Sequence, residues 1–237
     1  MAQIITFGNQ KGGVGKSTCA MLIATALSQP PFNYNLAVLD LDRQQSIAQR
    51  RALDLQDYEG VLPFDVISYN FQTFTHKIEE IESRYDLIIL DVAGKLDTEA
   101  GTESEAVKAL LYADLLYIPF TPGNFSLDAS LDYLKIALDV REKKRATGYD
   151  LEIYAFRNMH RERSRHVKAL KNELEDLQKI ITIPAIKEPL KRYSLFEDAD
   201  TLTSLYAPDS NDMAKRNFSR WIKELDTTIK NLNNGEG

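Results

Sequence analysis

Short apolar runs alternate with longer amphipathic stretches through most of this chain, and the two periods predict strands and helices in turn. Strands are predicted at residues 4–7, 36–41, 64–67, 87–91, 115–119, 151–156 and 180–183, and helices at 17–28, 74–84, 103–112, 126–144 and 163–177. The runs Leu36-Ala37-Val38-Leu39 and Leu87-Ile88-Ile89-Leu90 are apolar at every position, as central strands covered on both faces require. Alternation at this spacing predicts an α/β fold, a doubly wound, mostly parallel sheet with helices on both faces. With no internal repeat or low-complexity linker, residues 1–237 read as one domain, with a frayed tail over residues 233–237. A last helical pattern sets Phe218, Trp221, Ile222, Leu225, Ile229 and Leu232 on one stripe. Such a stripe is more often a terminal helix packed on a core than a face that lies on lipid.

Composition changes this picture little. Hydrophobic residues at 43% supply a sizeable core, and a net charge of −6 argues against a chain that coats nucleic acid over its whole face, although a local basic patch remains compatible with it. The one cysteine, Cys19, forms no intramolecular disulfide and suits a reducing compartment. No apolar run reaches the roughly 18 residues that span a bilayer. Residues 1–7 lack the basic start of a signal peptide and read as a first strand. A cytoplasmic protein is the expectation.

The candidate chemistry begins with Gln10-Lys11-Gly12-Gly13-Val14-Gly15-Lys16-Ser17-Thr18, between the first predicted strand and the first predicted helix. A glycine-rich strand-to-helix turn lets consecutive amide N–H groups converge on phosphate oxygens, and the helix N-terminus adds partial positive charge. Lys16 would reach the β- and γ-phosphates, Ser17 would ligate Mg²⁺, and Thr18 would donate near the α-phosphate. The alternative, a glycine turn with two solvated lysines, does not account for so specific a pattern in this setting. Such a site also needs acids at the ends of neighbouring strands to hold the metal and orient water. Leu36-Ala37-Val38-Leu39-Asp40-Leu41-Asp42 and Tyr85-Asp86-Leu87-Ile88-Ile89-Leu90-Asp91-Val92-Ala93-Gly94 both end apolar strands in aspartate. One such aspartate is more often a cap or a turn former; three boxes in order after three strands point to a nucleotide site.

Lys-Gly-Gly-Val-Gly-Lys-Ser, with Gln10 where the generic pattern has its first glycine, resembles the deviant Walker A box of the ParA/MinD family of P-loop ATPases. The resemblance covers residues 1–160 well, including Tyr117-Ile118-Pro119-Phe120-Thr121-Pro122, and the remainder in outline. It implies ATP and Mg²⁺ as cofactors, with Gly12, Gly13, Val14, Gly15, Lys16, Ser17 and Thr18 around the phosphates. It implies that Lys11 crosses a dimer interface to the partner's nucleotide, that Asp40 positions the hydrolytic water, and that Asp91 binds the metal. Asp42 would support the loop or the metal's surroundings. Arg43 stands where the family has proline, and Val92-Ala93-Gly94 where many relatives have a proline pair. For Asn158 the resemblance implies an adenine contact, a plain turn asparagine being the alternative.

The same resemblance implies slow ATP hydrolysis used as a switch: an ATP-bridged homodimer, separated by hydrolysis that a ParB-like adaptor accelerates. ParA-type relatives bind nonspecific DNA through basic residues of the C-terminal third, which here points to Lys187, Lys191, Arg192, Lys215, Arg216, Arg220 and Lys223. Other basic groups are Arg141, Lys143, Lys144 and Arg145, and Arg157, Arg161, Arg163 and Arg165. Each alone is more often a solvated helix face. The leading expectation is a nucleoid-associated partition or positioning ATPase. A MinD-like membrane-cycling division regulator and a metabolic ATP-dependent synthetase of the same branch are the alternatives. A nitrogenase iron protein would need further cysteines.

Overall fold

The computed structural model describes residues 1–94, 104–122, 124–159 and 183–233, with residues 124–127 and 233 as backbone only. The chain runs β1 (Gln3–Phe7), α1 (Lys16–Leu27), β2 (Leu36–Asp40), α2 (Ser46–Asp54), β3 (Asp65–Ser68), α3 (Phe71–Glu82) and β4 (Leu87–Asp91). It continues with α4 (Glu105–Tyr112), β5 (Leu115–Phe120), α5 (Asn124–Arg145), β6 (Glu152–Arg157), the single turn α6 (Ser194–Glu197) and α7 (Met213–Asn233). Among the described residues six strands pair in the order β3-β2-β4-β1-β5-β6, every pairing parallel. The doubly wound α/β fold follows. The connection from β1 leads to β2 on one side of it, and the connection from β4 leads to β5 on the other. That reversal opens a crevice at the carboxyl ends of the strands, where ligands of such sheets bind.

Period-2 alternation divides each strand between two cores. Ile5, Phe7, Val38, Leu87, Ile89, Leu115 and Tyr117 face α1 and α7, while Ile4, Ala37, Leu39, Ile88, Leu90, Leu116 and Ile118 face α3, α4 and α5. The stripe of α7 closes the first core. Phe218, Trp221, Ile222, Leu225 and Ile229 are fully buried there, Leu232 packs against them, and Trp221 meets Phe156 and Phe218. Tyr117 donates to the Leu225 carbonyl, and Gln3 to that of Ile229, tying the helix to β5 and β1.

Six of the seven predicted strands are present. The predicted helix 163–177, residues 180–182 of the predicted strand 180–183, and the tail beyond Asn233 lie outside the described residues; Asn233 itself ends α7. Helix α2 is not among the predicted helices, because only Ile47 and Arg51 of its nine residues are buried. Arg51 is an arginine in a core position: it donates to the carbonyls of Phe64 and Thr201 and to the Thr201 hydroxyl, and lies 4.3 Å over the Phe64 ring. Among the described residues no helix is long and apolar enough to cross a membrane.

Trp221 is the single tryptophan and is wholly buried. Trp221→Ala leaves a large cavity between α7 and β6 and is expected to cost about 3–5 kcal/mol, measured by urea unfolding followed by circular dichroism.

Candidate active site

β1 lies in the middle of the sheet, so the turn that leaves it stands over the crevice. Gly13 (φ 74°) and Gly15 (φ 87°) take left-handed backbone that other residues adopt at a cost. Around Gly12 and Gly13 there is open space on the side where a Cβ would stand. Helix α1 then starts with Gly15 as its N-cap and without a capping side chain, so its first amides face outward uncapped. A helix N-terminus in that condition suits an anion. Lys16 is half-buried beside it; burial lowers its pKa, against the pull of Asp91 and Asp42. Gly94 explains its own place after Asp91: a Cβ there would stand 2.5 Å from Lys16 Nζ. Lys11 is exposed on the rim of the turn.

The two acids are adjacent across the sheet, Asp40 of β2 in register with Asp91 of β4. Asp91 Oδ1 accepts a 3.1 Å hydrogen bond from the Ser17 hydroxyl. Asp40 Oδ2 accepts from the amides of Ile47 and Ala48, at 3.1 and 3.0 Å. It thereby caps α2, whose own N-cap residue Gln45 supplies no side-chain bond. The other oxygens, Asp40 Oδ1 and Asp91 Oδ2, are buried without a partner. Burial raises the pKa of Asp91 to about 7, against the Ser17 bond, with Asp40 and Asp42 adding repulsion; burial raises Asp40 as well. Two buried acceptors lacking donors, beside a lysine and a serine hydroxyl, fit a hard divalent cation and water.

Asn158, at the end of β6, lies under the turn. Its Nδ2 donates to the Val14 carbonyl at 2.8 Å and approaches Cys19 Sγ at 3.7 Å, while its Oδ1 accepts from the Met159 amide. The carboxamide is hydrogen-bonded to protein at both ends, so Asn158 supports the turn. Burial pushes the Cys19 thiol up, with the Asn158 bond opposing, as in a small buried hydrophobe. Sequence reasoning missed Asn9, buried at the root of the turn. A polar residue closing an apolar strand just before the glycine box was the available signal.

The basic residues divide. Arg216, Arg220 and Lys223 are exposed along one side of α7, and Lys215 is half-buried. The segment 187–192 lies against that helix: the Lys187 and Glu188 amides donate to Glu224, the Lys191 amide to Asn217, and Arg220 pairs with Glu188 at 2.9 Å. Arg192 pairs with Glu197 at 3.1 Å, and Lys223 sits over the Tyr206 ring. The segment carrying Lys187, Lys191 and Arg192 thus packs its backbone against α7, and Arg220 and Arg192 are each paired with a carboxylate. In the 141–145 group, Lys144 points inward to the Ala113 carbonyl, while Arg145, exposed like Lys143, forks onto Asp150. Arg161, Arg163 and Arg165 lie outside the described residues.

A family model described as ATPase MipZ matches residues 3–187. The uncharacterized protein MJECL24 of Methanocaldococcus jannaschii is 24% identical over 266 residues, covering 93% of this chain and 98% of that one. The crystal structure of a plasmid partition protein from Borrelia burgdorferi bound to AMPPNP is similar at a TM-score of 0.64 and 23% identity, covering 96% of this chain and 99% of that one. Cobyrinic acid a,c-diamide synthase from Mycobacterium smegmatis, solved with an ATP analog and magnesium, is similar at a TM-score of 0.70 and 15% identity, covering 99% and 97%. At these identities the two structures share the fold.

A test of the acid pair follows from linkage. Asp91 moves from an ordinary value of 3.8 to about 7 on folding, so the folded apoprotein holds an extra proton between those values. Its stability therefore falls as pH rises through that window, and the loss is complete above it. Without metal, Asp91→Asn is expected to match the wild type near pH 4 and to exceed it at pH 8 by on the order of a few kcal/mol, read as melting temperature against pH.

Proposed function

This chain belongs to the MipZ family of ParA/MinD-type ATPases, and from that premise we propose that it binds Mg·ATP in the turn between β1 and α1 and hydrolyses it slowly, as a switch. The observation that carries the reading is the pair of unpartnered oxygens, Asp40 Oδ1 and Asp91 Oδ2, beside Ser17 and Lys16. Gly12 to Thr18 would hold the phosphates, Ser17 and Asp91 the metal. When bound, Mg·ATP supplies the transferable phosphoryl group and the cation that offsets its charge. Lys16 would bring a positive charge to the phosphate end, the α1 amides would orient it, and Asp40 would position the attacking water. Asp40 also caps α2, so Asp40→Ala removes a helix cap together with that role.

What the switch drives is read from the surface. One domain, an ATP-bridged homodimer, nonspecific DNA as the bound polymer and a ParB-like adaptor that stimulates hydrolysis form a consistent set. Two copies of the α7 face double the phosphate contacts, and such contacts sum steeply. The place of action would be the nucleoid. The apolar stripe of α7 supports this over a membrane-cycling role, because that stripe is buried against the sheet. A small-acid substrate whose presence is required for turnover would favour a synthetase instead.

Lys16→Ala is expected to abolish ATP binding in equilibrium titration with a fluorescent ATP analogue; retained tight binding removes the turn from the mechanism. Replacing Lys215, Arg216 and Arg220 together by alanine should weaken retardation of plain duplex DNA in ATP and flatten its salt dependence. Unchanged retardation would place the DNA surface elsewhere.

A further inference from the structure

We infer that Asn9 is a positioning residue that sets the direction of Lys11, and that α5 holds Asn9 in place through Ser130. Asn9 is wholly buried two residues beyond the end of β1. Its Nδ2 donates to the Pro119 carbonyl at 2.9 Å and to Ser130 Oγ at 2.8 Å, and its Oδ1 accepts from the Lys11 amide at 2.9 Å. The orientation of the carboxamide is fixed by chemistry, since a carbonyl only accepts and an amide N–H only donates. The last of these bonds closes an Asx-type turn two residues long. It pins the backbone of Lys11, which is followed at once by Gly12 and Gly13 in open space.

Without that bond, Lys11 would swing on a flexible stretch with little around it to define its direction. Helix α5 presses on the same root: a Cβ on Gly8 would stand 2.3 Å from the Tyr133 ring, and Gly94 packs on the Asn9 carbonyl, where a Cβ would stand 2.4 Å away. Asn9 thus joins the exposed lysine to β5 and α5, elements more than a hundred residues along the chain. The inference rests on the proposed role of Lys11 at the partner's nucleotide.

The experiment is a double-mutant cycle on steady-state ATP turnover with Asn9→Ala, Lys11→Ala and the two combined. Asn9→Ala is expected to lower kcat about tenfold with little change in KM, and the combined variant to match Lys11→Ala within about twofold. Asn9→Ser, whose hydroxyl can still accept from the Lys11 amide, should recover part of the loss. Losses that multiply in the combined variant, or an Asn9→Ala protein as active as wild type, overturn the inference. If Asn9→Ala does not fold, the same cycle with Ser130→Ala reads the coupling: a combined loss matching Lys11→Ala supports the inference, and multiplying losses overturn it. Wild-type turnover by Lys11→Ala would instead remove the bridging role of Lys11, and this inference with it.

Discussion

Two carboxyl groups on neighbouring strands, each with one buried oxygen that makes no hydrogen bond, bring two acidic groups together at the carboxyl edge of the sheet. Desolvation penalises both as anions, and Asp40 adds its own repulsion to Asp91. A protein tolerates such a place when a cation or a set of donors arrives to satisfy it. The cost falls on the apo state, and binding removes it. Stability and ligand occupancy are therefore linked at the carboxyl edge of the sheet by electrostatics alone.

The same edge is where the helices are fastened. Asp40 spends its second oxygen on the α2 amides, Asp91 spends its own on Ser17 of α1, and Asn9 ties β1 to α5. A change in charge or in hydrogen bonding at the crevice thus reaches three helices through single bonds. From α2, Arg51 and Asp54 in turn bond Thr201, on the segment that leads to α7. Hydrogen bonds thus run without a break from the strand end at Asp40, through α2, to the C-terminal region.

Much of this was legible in the sequence, and the reason is locality. The glycine box, Asp40 and Asp91 each sit where an apolar strand ends, and the parallel sheet aligns strand ends without further information. The unexpected features depend on partners remote in sequence. Asn9 finds Pro119 and Ser130, and Asn158 finds Val14, across separations of more than a hundred residues. Arg51 and Lys144 look like surface cations until backbone carbonyls supply their acceptors inside the fold. Polarity patterns cannot anticipate a buried charge satisfied in that way, which is why α2 leaves no clear period and the 141–145 group looks more basic in sequence than it is in the fold.

Helix α7 shows how one element can answer two questions with its two sides. Its apolar side is spent on the sheet, meeting Phe156, β5 and β1, so its attraction to lipid is already used within the fold. Its exposed side carries Arg216, Arg220 and Lys223, yet Glu188 and Glu197 take up Arg220 and Arg192. A polyanion must compete with those pairs for the same guanidinium groups. Exposed ion pairs contribute little and are screened by salt, so they yield to a dense row of phosphates but still subtract from each contact. Binding by one copy would be weak on that account. Under the proposed nucleotide-bridged dimer, a second copy would add its own contacts to those of the first, and pairing would then set how firmly this face holds a polyanion.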